Sequence, residues 1–218
     1  MSLNKVIEVA RGELGYTEDP AGSNKTKYGK AYGWDGVPWC CSFLWWVFQQ
    51  ADEAMAFFAG AKTASCTTLA KWYKAQGQTV PVDEVQPGDI VFLNFHGGTA
   101  KEHCGLVVGT TWDYHYDRLL SSTTIEGNTS PGMEGSQDNG GCVALKTRYR
   151  KNIVEVARPV YKLEDKPKDF EGHWAEKAIR RVMDKGIMQG YPDGSFRPNE
   201  PVTRAELATI LDRLEAAK

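Results

Sequence analysis

The hydrophobic residues of this chain change their spacing near residue 86, and this change constrains the fold more than any other feature. Before it, apolar side chains recur every three or four residues, the spacing of amphipathic helices. After it, short apolar runs alternate with Gly-, Asn- and Pro-containing turns, which is typical of strands. Helices followed by closely connected strands predict an α+β domain with an antiparallel sheet and the helices on one side.

Three helices and five strands follow from the two spacings. A loop rich in Gly, Asn, Pro and Tyr, residues 18–36, separates the first two helices. The predicted helices cover residues 3–14, 40–52 and 66–76, and the predicted strands cover residues 90–95, 103–109, 123–128, 143–147 and 153–157.

The second helix opens with a cysteine directly behind a Gly/Pro turn, within Trp34–Trp46. Pro38 suits a helix entry, because its missing N–H has no intrahelical partner there. A thiol is nucleophilic only as the thiolate, and a helix N-terminus together with an imidazolium lowers its pKa. Cys40 is therefore a candidate nucleophile, and the alternative is a buried structural cysteine.

A cysteine nucleophile needs a nearby base, and that base needs an orienting group. His103 opens an apolar strand, so a sheet would fix its ring near the strand's end. Glu126 and Asn128 lie two residues apart on a later strand and are expected to point to the same face. Together they can orient an imidazole, whereas each alone is an ordinary structural or exposed side chain.

Composition argues against several classes of function. The net charge is −2, without the basic surface that nucleic acid requires. No apolar stretch approaches the roughly 20 residues of a membrane span, so we expect no membrane partner. The first 15 residues lack the apolar segment of a signal peptide, which predicts synthesis in the cytoplasm. The five cysteines are odd in number, contain no CxxC pair and match no zinc-ligand spacing.

Four motifs, in this order, resemble the CHAP domain, the cysteine, histidine-dependent amidohydrolase/peptidase family of peptidoglycan hydrolases. They are Pro38-Trp39-Cys40 with Phe43 and Trp46, then Pro87–Phe92, His103–Val108 and Ile125–Asn128. The resemblance places a catalytic domain at residues 1–161 and implies a papain-like fold with a peptidoglycan substrate.

The resemblance also implies roles for individual residues. Cys40 is the nucleophile, His103 the general base and later acid, and Glu126 the orienting group. Asn128 is an auxiliary cleft residue. Because the family places its nucleophile directly after the tryptophan, the match selects Cys40 over Cys41. Some members bind calcium through an acidic loop near the cysteine, but residues 24–33 carry lysines and no acid. We therefore expect no metal and no cofactor.

Residues 162–169 are rich in charge and proline and predict a solvated linker. Residues 170–218 then predict a helix-loop-helix module. Its second helix begins with a capping box, in which Thr203 is the N-cap and Glu206 the third helical residue. The apolar stripe of that helix is Leu207, Ile210, Leu211 and Leu214.

This tail resembles an S-layer homology motif. The matching stretches are Asp169–Ala175, Gly186–Pro198 and Thr203–Glu206. The resemblance implies binding to a secondary cell-wall polymer, with Arg204 at the position that meets the anionic sugar. We interpret Trp174 as core of the module rather than as a ligand platform.

Such motifs usually occur as three tandem copies, and here one copy is present. A unit of about 50 residues buries little core by itself. We therefore expect a homo-oligomer through the C-terminal module, and the alternative is docking on the chain's own catalytic domain.

These features predict a peptidoglycan hydrolase, interpreted as a phage or prophage endolysin that cleaves a cell-wall amide. It would be made in the host cytoplasm without a signal peptide and reach the Gram-positive wall through a holin. Two alternatives stay open: a wall-binding or assembly protein that has lost activity, and a cytosolic amidase of small peptides.

Overall fold

The computed structural model describes residues 2–113, 115–116, 118–132, 140–162, 169–191 and 195–216. One compact unit comprises Ser2–Lys162, and the C-terminal residues form a second. Most of the expected linker, residues 163–168, lies outside the described residues.

The larger unit begins with helices that turn apolar faces inward. In α1 the buried side chains are Val6 and Ala10, one helical turn apart, whereas α3 is apolar almost all round and buries most of its residues. Among the described residues, no helix combines the length and apolar composition that crossing a bilayer requires. The helices are α1 (Ser2–Gly12), α2 (Lys27–Tyr32), α3 (Cys40–Gln50) and α4 (Cys66–Ala75).

The strands form one six-stranded antiparallel sheet in the order β1-β6-β2-β3-β4-β5. The predicted fold class, α+β with an antiparallel sheet and N-terminal helices, is confirmed. β3 and β4 are longer than predicted, because their paired outer ends are Thr- and Ser-rich and lack the apolar alternation of a buried strand. The strands are β1 (Thr79–Val80), β2 (Ile90–Leu93), β3 (His103–Asp113), β4 (Arg118–Thr129), β5 (Cys142–Tyr149) and β6 (Ile153–Ala157).

The two faces of the sheet bury different clusters. Alternate residues such as Phe92, Leu106 and Ile125 join the core that the helices cover. Their neighbours, such as Val91 and Val107, pack in a smaller cluster on the opposite face. This alternation follows from the two-residue period of a strand, and it places the helices on one side as expected.

Helix α2 lies inside the stretch that was expected to be a loop. The Thr26 hydroxyl accepts a hydrogen bond from the Gly29 N–H at 2.9 Å and caps this helix. The Asp35 carboxylate accepts the Thr26 N–H at 2.9 Å. A helix of six residues is too short to show a hydrophobic period, which is why the sequence pattern missed it.

The smaller unit contains α5 (Glu176–Asp184) and α6 (Arg204–Ala216). Its core comprises Phe170, Ile179 and Phe196. The predicted capping box is confirmed: the Thr203 N–H donates to the Glu206 carboxylate at 2.7 Å, and the Glu206 N–H donates to the Thr203 hydroxyl at 3.2 Å.

Two apolar features of the smaller unit differ from expectation. The Leu207, Leu211 and Leu214 side chains of α6 are exposed within it, so their stripe is not part of its core. Trp174 is 92% exposed, so its interpretation as a core residue is wrong. Phe170 and Phe196 fill that core instead and meet edge to face.

Packing between α3 and β4 depends on one small residue. A Cβ atom on Gly127 would lie 2.6 Å from Phe43 Cβ and 2.7 Å from Trp39 Cζ3. We expect Gly127→Ala to destabilise the fold by about 1–3 kcal/mol through overpacking, measured by urea unfolding. Gly12→Ala is the matched control, because a Cβ there meets nothing within 4 Å. Equal stability of the two variants would contradict the close packing of α3 on β4.

Candidate active site

Aromatic packing fixes the start of α3 and thereby the position of Cys40. Trp39 is the residue before the helix, and its ring stacks on that of Tyr28 with centroids 5.4 Å apart. Tyr28 also meets the Phe43 ring edge to face at 5.1 Å. Cys40 is the first helical residue and is 6% exposed, at the edge of the core cluster that the helices cover.

His103 is the first residue of β3 and is almost fully buried. Its Nε2 lies 3.0 Å from Oε2 of Glu126 on the neighbouring strand β4. Because an ionised carboxylate can only accept, the imidazole donates this hydrogen bond. The bond occupies Nε2, so Nδ1 is the ring nitrogen that this bond leaves available for proton transfer.

Cys40 and His103 lie close enough for each to affect the pKa of the other. Burial alone would lower the pKa of His103, but the Glu126 carboxylate and the hydrogen bond and charge of Cys40 raise it. Hydrogen bonds from the thiols of Cys104, Cys41 and Cys66 lower the pKa of Cys40, against the effect of burial and with help from the charge of His103. Both shifts are in the direction that stabilises a thiolate next to an imidazolium.

The Glu126 carboxylate is fully buried and held from three sides. Burial raises its pKa, but hydrogen bonds from Arg148 and the charge of His103 lower it to about 2. Arg148 on β5 donates through Nε to Oε1 at 2.7 Å and through Nη2 to Oε2 at 2.5 Å. The Thr124 hydroxyl donates to Oε1 at 2.5 Å.

Arg148 is a residue of this site that sequence patterns did not reveal. The one indication in the sequence is the spacing of Lys146 and Arg148, which lie two residues apart on β5, the strand that pairs with the strand of Glu126. Cationic side chains at a two-residue interval beside a buried acid can share its face of the sheet. Recognising this pattern would have required the strand pairing.

Gly105 provides the space that Glu126 occupies. A Cβ on Gly105 would lie 2.7 Å from Cγ of Glu126 and 3.1 Å from its Oε1. Because glycine has no side chain, β3 leaves room at Gly105 for the Glu126 side chain to reach His103.

Asn128 does not follow the geometry from which its role was inferred. The pairing of β4 with β5 shifts register between Glu126 and Thr129, and Asn128 has φ 58, in the left-handed region. A bulge breaks the two-residue alternation, so the shared face with Glu126 no longer follows. The auxiliary role of Asn128 stays a prediction.

Three other cysteines surround the Cys40 sulfur. The Cys66 sulfur lies 3.7 Å from that of Cys40 and 3.4 Å from that of Cys41, and the Cys41 and Cys104 sulfurs are 3.5 Å apart. All four sulfurs lie within 4.8 Å of one another, so they could hold a metal ion. Spacing in the sequence gave no sign of this, because the four residues come from α3, α4 and β3.

The environment distinguishes the adjacent cysteines. Cys41 is 1% exposed, and its pKa is raised well above the ordinary value. The largest single effect on it, a hydrogen bond from Cys104, lowers this pKa but is outweighed by hydrogen bonds to Cys40 and Cys66 and by burial. Cys40 has the lowered pKa, so it is the better candidate nucleophile of the two.

The smaller unit contains a cavity of about 440 Å³ beside α6. Arg197 and Arg213 line it, and the Arg197 guanidinium lies over the Tyr191 ring at 4.3 Å. Arg204, the expected polymer-binding residue, is exposed at the start of α6, next to Ala205, which also lines the cavity.

Two stretches of the chain match known protein families. Residues 29–132 match the model of the NlpC/P60 family, and residues 168–208 match the S-layer homology domain. NlpC/P60 proteins are cysteine peptidases and amidases that act on peptidoglycan, and S-layer homology domains bind cell-wall polymers. The narrower CHAP identity is not confirmed by these matches.

Short stretches of the chain also match surface proteins. A "Cellulosome-anchoring protein" of Acetivibrio thermocellus is 48% identical over 46 residues, 21% of this chain and 10% of that protein. "Outer membrane protein SlpA" of Deinococcus radiodurans is 51% identical over 43 residues, 20% of this chain and 4% of that protein. The chain thus matches only a small part of each relative.

One solved structure, described as "The crystal structure of Ly7917", superposes on this protein. The superposition covers 73% of this chain and 63% of the chain in that structure. The TM-score is 0.40 and the sequence identity 16%, so we draw nothing about function from this likeness.

The expected localisation is wrong. The match to the S-layer homology domain and to surface proteins indicates a protein of the cell surface, not a cytoplasmic endolysin that is released through a holin.

Removal of Arg148 should expose the dependence of Glu126 on its partner. We expect Arg148→Met to lower the free energy of unfolding, measured with urea, by about 3–5 kcal/mol. The substitution leaves the buried Glu126 carboxylate without its main cation. The double variant Arg148→Met/Glu126→Gln should recover part of that loss, since it also removes the charge.

Arg150→Met is the control, because Arg150 pairs with Asp83 at the surface and is half exposed. Exposed ion pairs contribute roughly 0–1 kcal/mol. If Arg148→Met were no more costly than Arg150→Met, the buried anchoring of Glu126 would be refuted.

Proposed function

We propose that this chain is a cell-surface cysteine hydrolase that cleaves amide bonds of peptidoglycan. The observation that carries the proposal is the set Cys40, His103 and Glu126. Cys40 lies at the N-terminus of α3, Cys40 raises the pKa of His103, and the His103 ring lies 3.0 Å from the Glu126 carboxylate. The NlpC/P60 match over residues 29–132 supports the same class of reaction.

The reaction would begin with attack of the Cys40 thiolate on an amide carbonyl carbon. The first amides of a helix have no intrahelical acceptor, so the Cys40 N–H can stabilise the oxyanion. One such donor typically contributes about 10²–10³ in rate. His103 then protonates the departing amine, and a thioester remains on Cys40.

Water completes the cycle. His103, now neutral, takes a proton from water as it attacks the thioester, and the Cys40 thiolate leaves. Glu126, fixed by Arg148, keeps the imidazole oriented and stabilises its cationic form in both halves of the reaction. Asn128 is proposed as an auxiliary residue of the same cleft.

The scissile bond lies in the peptide stem or cross-bridge, or joins muramic acid to L-alanine. Amidases and endopeptidases can share one nucleophile and base. Mass spectrometry of muropeptides after digestion separates the candidates, because each cleavage leaves a different new amino terminus.

The C-terminal module, residues 170–218, is proposed to attach the catalytic domain, residues 1–161, to a secondary cell-wall polymer, with residues 162–169 as linker. Arg204 would meet an anionic sugar, and its exposure leaves it accessible. A hydrolase fixed at the surface acts on the wall of its own cell, so we propose this role in place of phage lysis.

A zymogram on Gram-positive cell walls tests the nucleophile. We expect Cys40→Ala to abolish clearing and Cys41→Ala to retain it, because Cys40 opens α3 and interacts electrostatically with His103, whereas Cys41 is buried in the core. Clearing by Cys40→Ala equal to that of the wild type would refute the mechanism and favour a wall-binding protein without activity of its own.

The C-terminal module is also proposed to associate with copies of itself. Leu211 on α6 is 52% exposed, and Leu207 and Leu214 lie one turn to either side on the same stripe. A module this small gains stability when such a stripe is covered by a second copy.

Sedimentation of the full chain at micromolar concentration tests this association. The wild type is expected to sediment as an oligomer and Leu211→Glu as a monomer. Leu120→Glu, at an exposed leucine of β4, is the matched control and should remain oligomeric. A strictly monomeric wild type would refute the association.

A further inference from the structure

The four clustered thiols have the spacing of a metal site. Zinc binds thiolate sulfur at about 2.3 Å in a tetrahedron, which sets neighbouring sulfurs about 3.8 Å apart. The measured distances are 3.7 Å for Cys40–Cys66, 3.4 Å for Cys41–Cys66 and 3.5 Å for Cys41–Cys104. The other three pairs lie within 4.8 Å. Adjustments of a few tenths of an ångström would bring most of these sulfurs to one ion.

The backbone presents these ligands from fixed elements. Cys40 and Cys41 open α3, Cys66 opens α4, and Cys104 is the second residue of β3. Ser65 caps α4 by accepting the Thr68 N–H at 3.2 Å. Two helix N-termini therefore converge on the cluster, and their dipoles favour the negative charge of thiolates.

The donor atoms select the class of ion. An all-sulfur set favours soft or borderline ions such as Zn²⁺ over Ca²⁺ or Mg²⁺, which prefer oxygen. The compactness of the set favours a single ion over a cluster of several. Cys41 and Cys104 are sealed in the core, whereas Cys40 and Cys66 retain 6% and 7% exposure. These two residues are therefore the members of the set nearest to solvent.

We propose that Cys40, Cys41, Cys66 and Cys104 form a mononuclear zinc site that takes the candidate nucleophile as one of its ligands. Binding releases the remaining thiol protons to solvent and leaves four sulfur–zinc bonds. The Cys40 lone pair is then committed to the metal, so the zinc form is inactive and loss of zinc activates the enzyme. This regulatory consequence rests on the proposed function, whereas the site itself does not.

The fifth cysteine provides a matched control. Cys142 is equally buried, but its thiol donates to the Thr129 carbonyl oxygen at 2.8 Å, apart from the cluster. Cys142→Ser therefore removes a buried thiol without removing a ligand.

Titration of the reduced full chain with Co²⁺ tests the site directly, because tetrahedral thiolate–cobalt complexes absorb intensely in the near ultraviolet and visible. We expect one Co²⁺ per chain, displaced by Zn²⁺, in the wild type and in Cys142→Ser. Cys66→Ser and Cys41→Ser should each weaken binding by at least about tenfold. Two variants are used so that misfolding of one does not decide the result.

Alkylation of Cys40 by iodoacetamide, mapped by mass spectrometry, reports on the nucleophile without an activity assay. Zn²⁺ should slow labelling of Cys40 by at least about tenfold in the wild type and in Cys142→Ser, and less in Cys66→Ser. Wall lysis should fall in parallel and return on adding a chelator.

The outcomes separate the two proposals. Cobalt binding by the four cysteines together with lysis that survives Cys40→Ala would refute the hydrolase mechanism and keep the site. Lysis that depends on Cys40, with no cobalt thiolate spectrum or with equal binding by Cys66→Ser, would refute the zinc site. Disulfides among the four cysteines under reducing conditions would also refute it.

Discussion

The buried carboxylate of Glu126 is the charge on which the candidate site depends. A carboxylate removed from water is stable only with cations and donors around it, and here Arg148, His103 and Thr124 supply them from three places on the sheet. Gly105 leaves the space that the side chain fills. The arrangement ties β3, β4 and β5 together and raises the pKa of the imidazole that faces Cys40, so one set of contacts serves both stability and chemistry.

Local pattern was sufficient to predict most of the fold. The helices at Cys40 and Cys66 and the strand at Ile153–Ala157 begin where the sequence indicated, because hydrophobic period and turn residues act over short distances. The short helix α2 was missed, since side-chain caps rather than periodicity define it. The hydrophobic period of α6 predicts a buried stripe, but the leucines of that stripe are exposed. Periodicity alone cannot show whether the surface that buries a stripe belongs to the same unit or to another molecule.

The candidate site was predictable only in part, because some of its residues follow from local sequence pattern and others depend on tertiary contacts. His103 and Glu126 could be proposed because each lies on a predicted strand and because the motifs around them resemble those of a known family. Arg148 and the thiol cluster depend on which strands and helices are neighbours, which is fixed by tertiary packing. For Asn128, strand alternation predicted a side chain on the same face as Glu126. A bulge in β4 interrupts that alternation, so the shared face no longer follows.

The packing that lowers the pKa of Cys40 also places three possible metal ligands beside it. A thiolate at a helix N-terminus is stabilised by donors, and the nearest donors here are three further thiols. Thiols that can donate a hydrogen bond to a thiolate can also lose their protons and share a metal with it. Serine at positions 41, 66 and 104 would preserve hydrogen-bond donors but lose soft ligands. A buried cysteine also packs as a small hydrophobe, so sulfur at these three positions serves the core and at the same time supplies the soft ligands that a zinc ion would need.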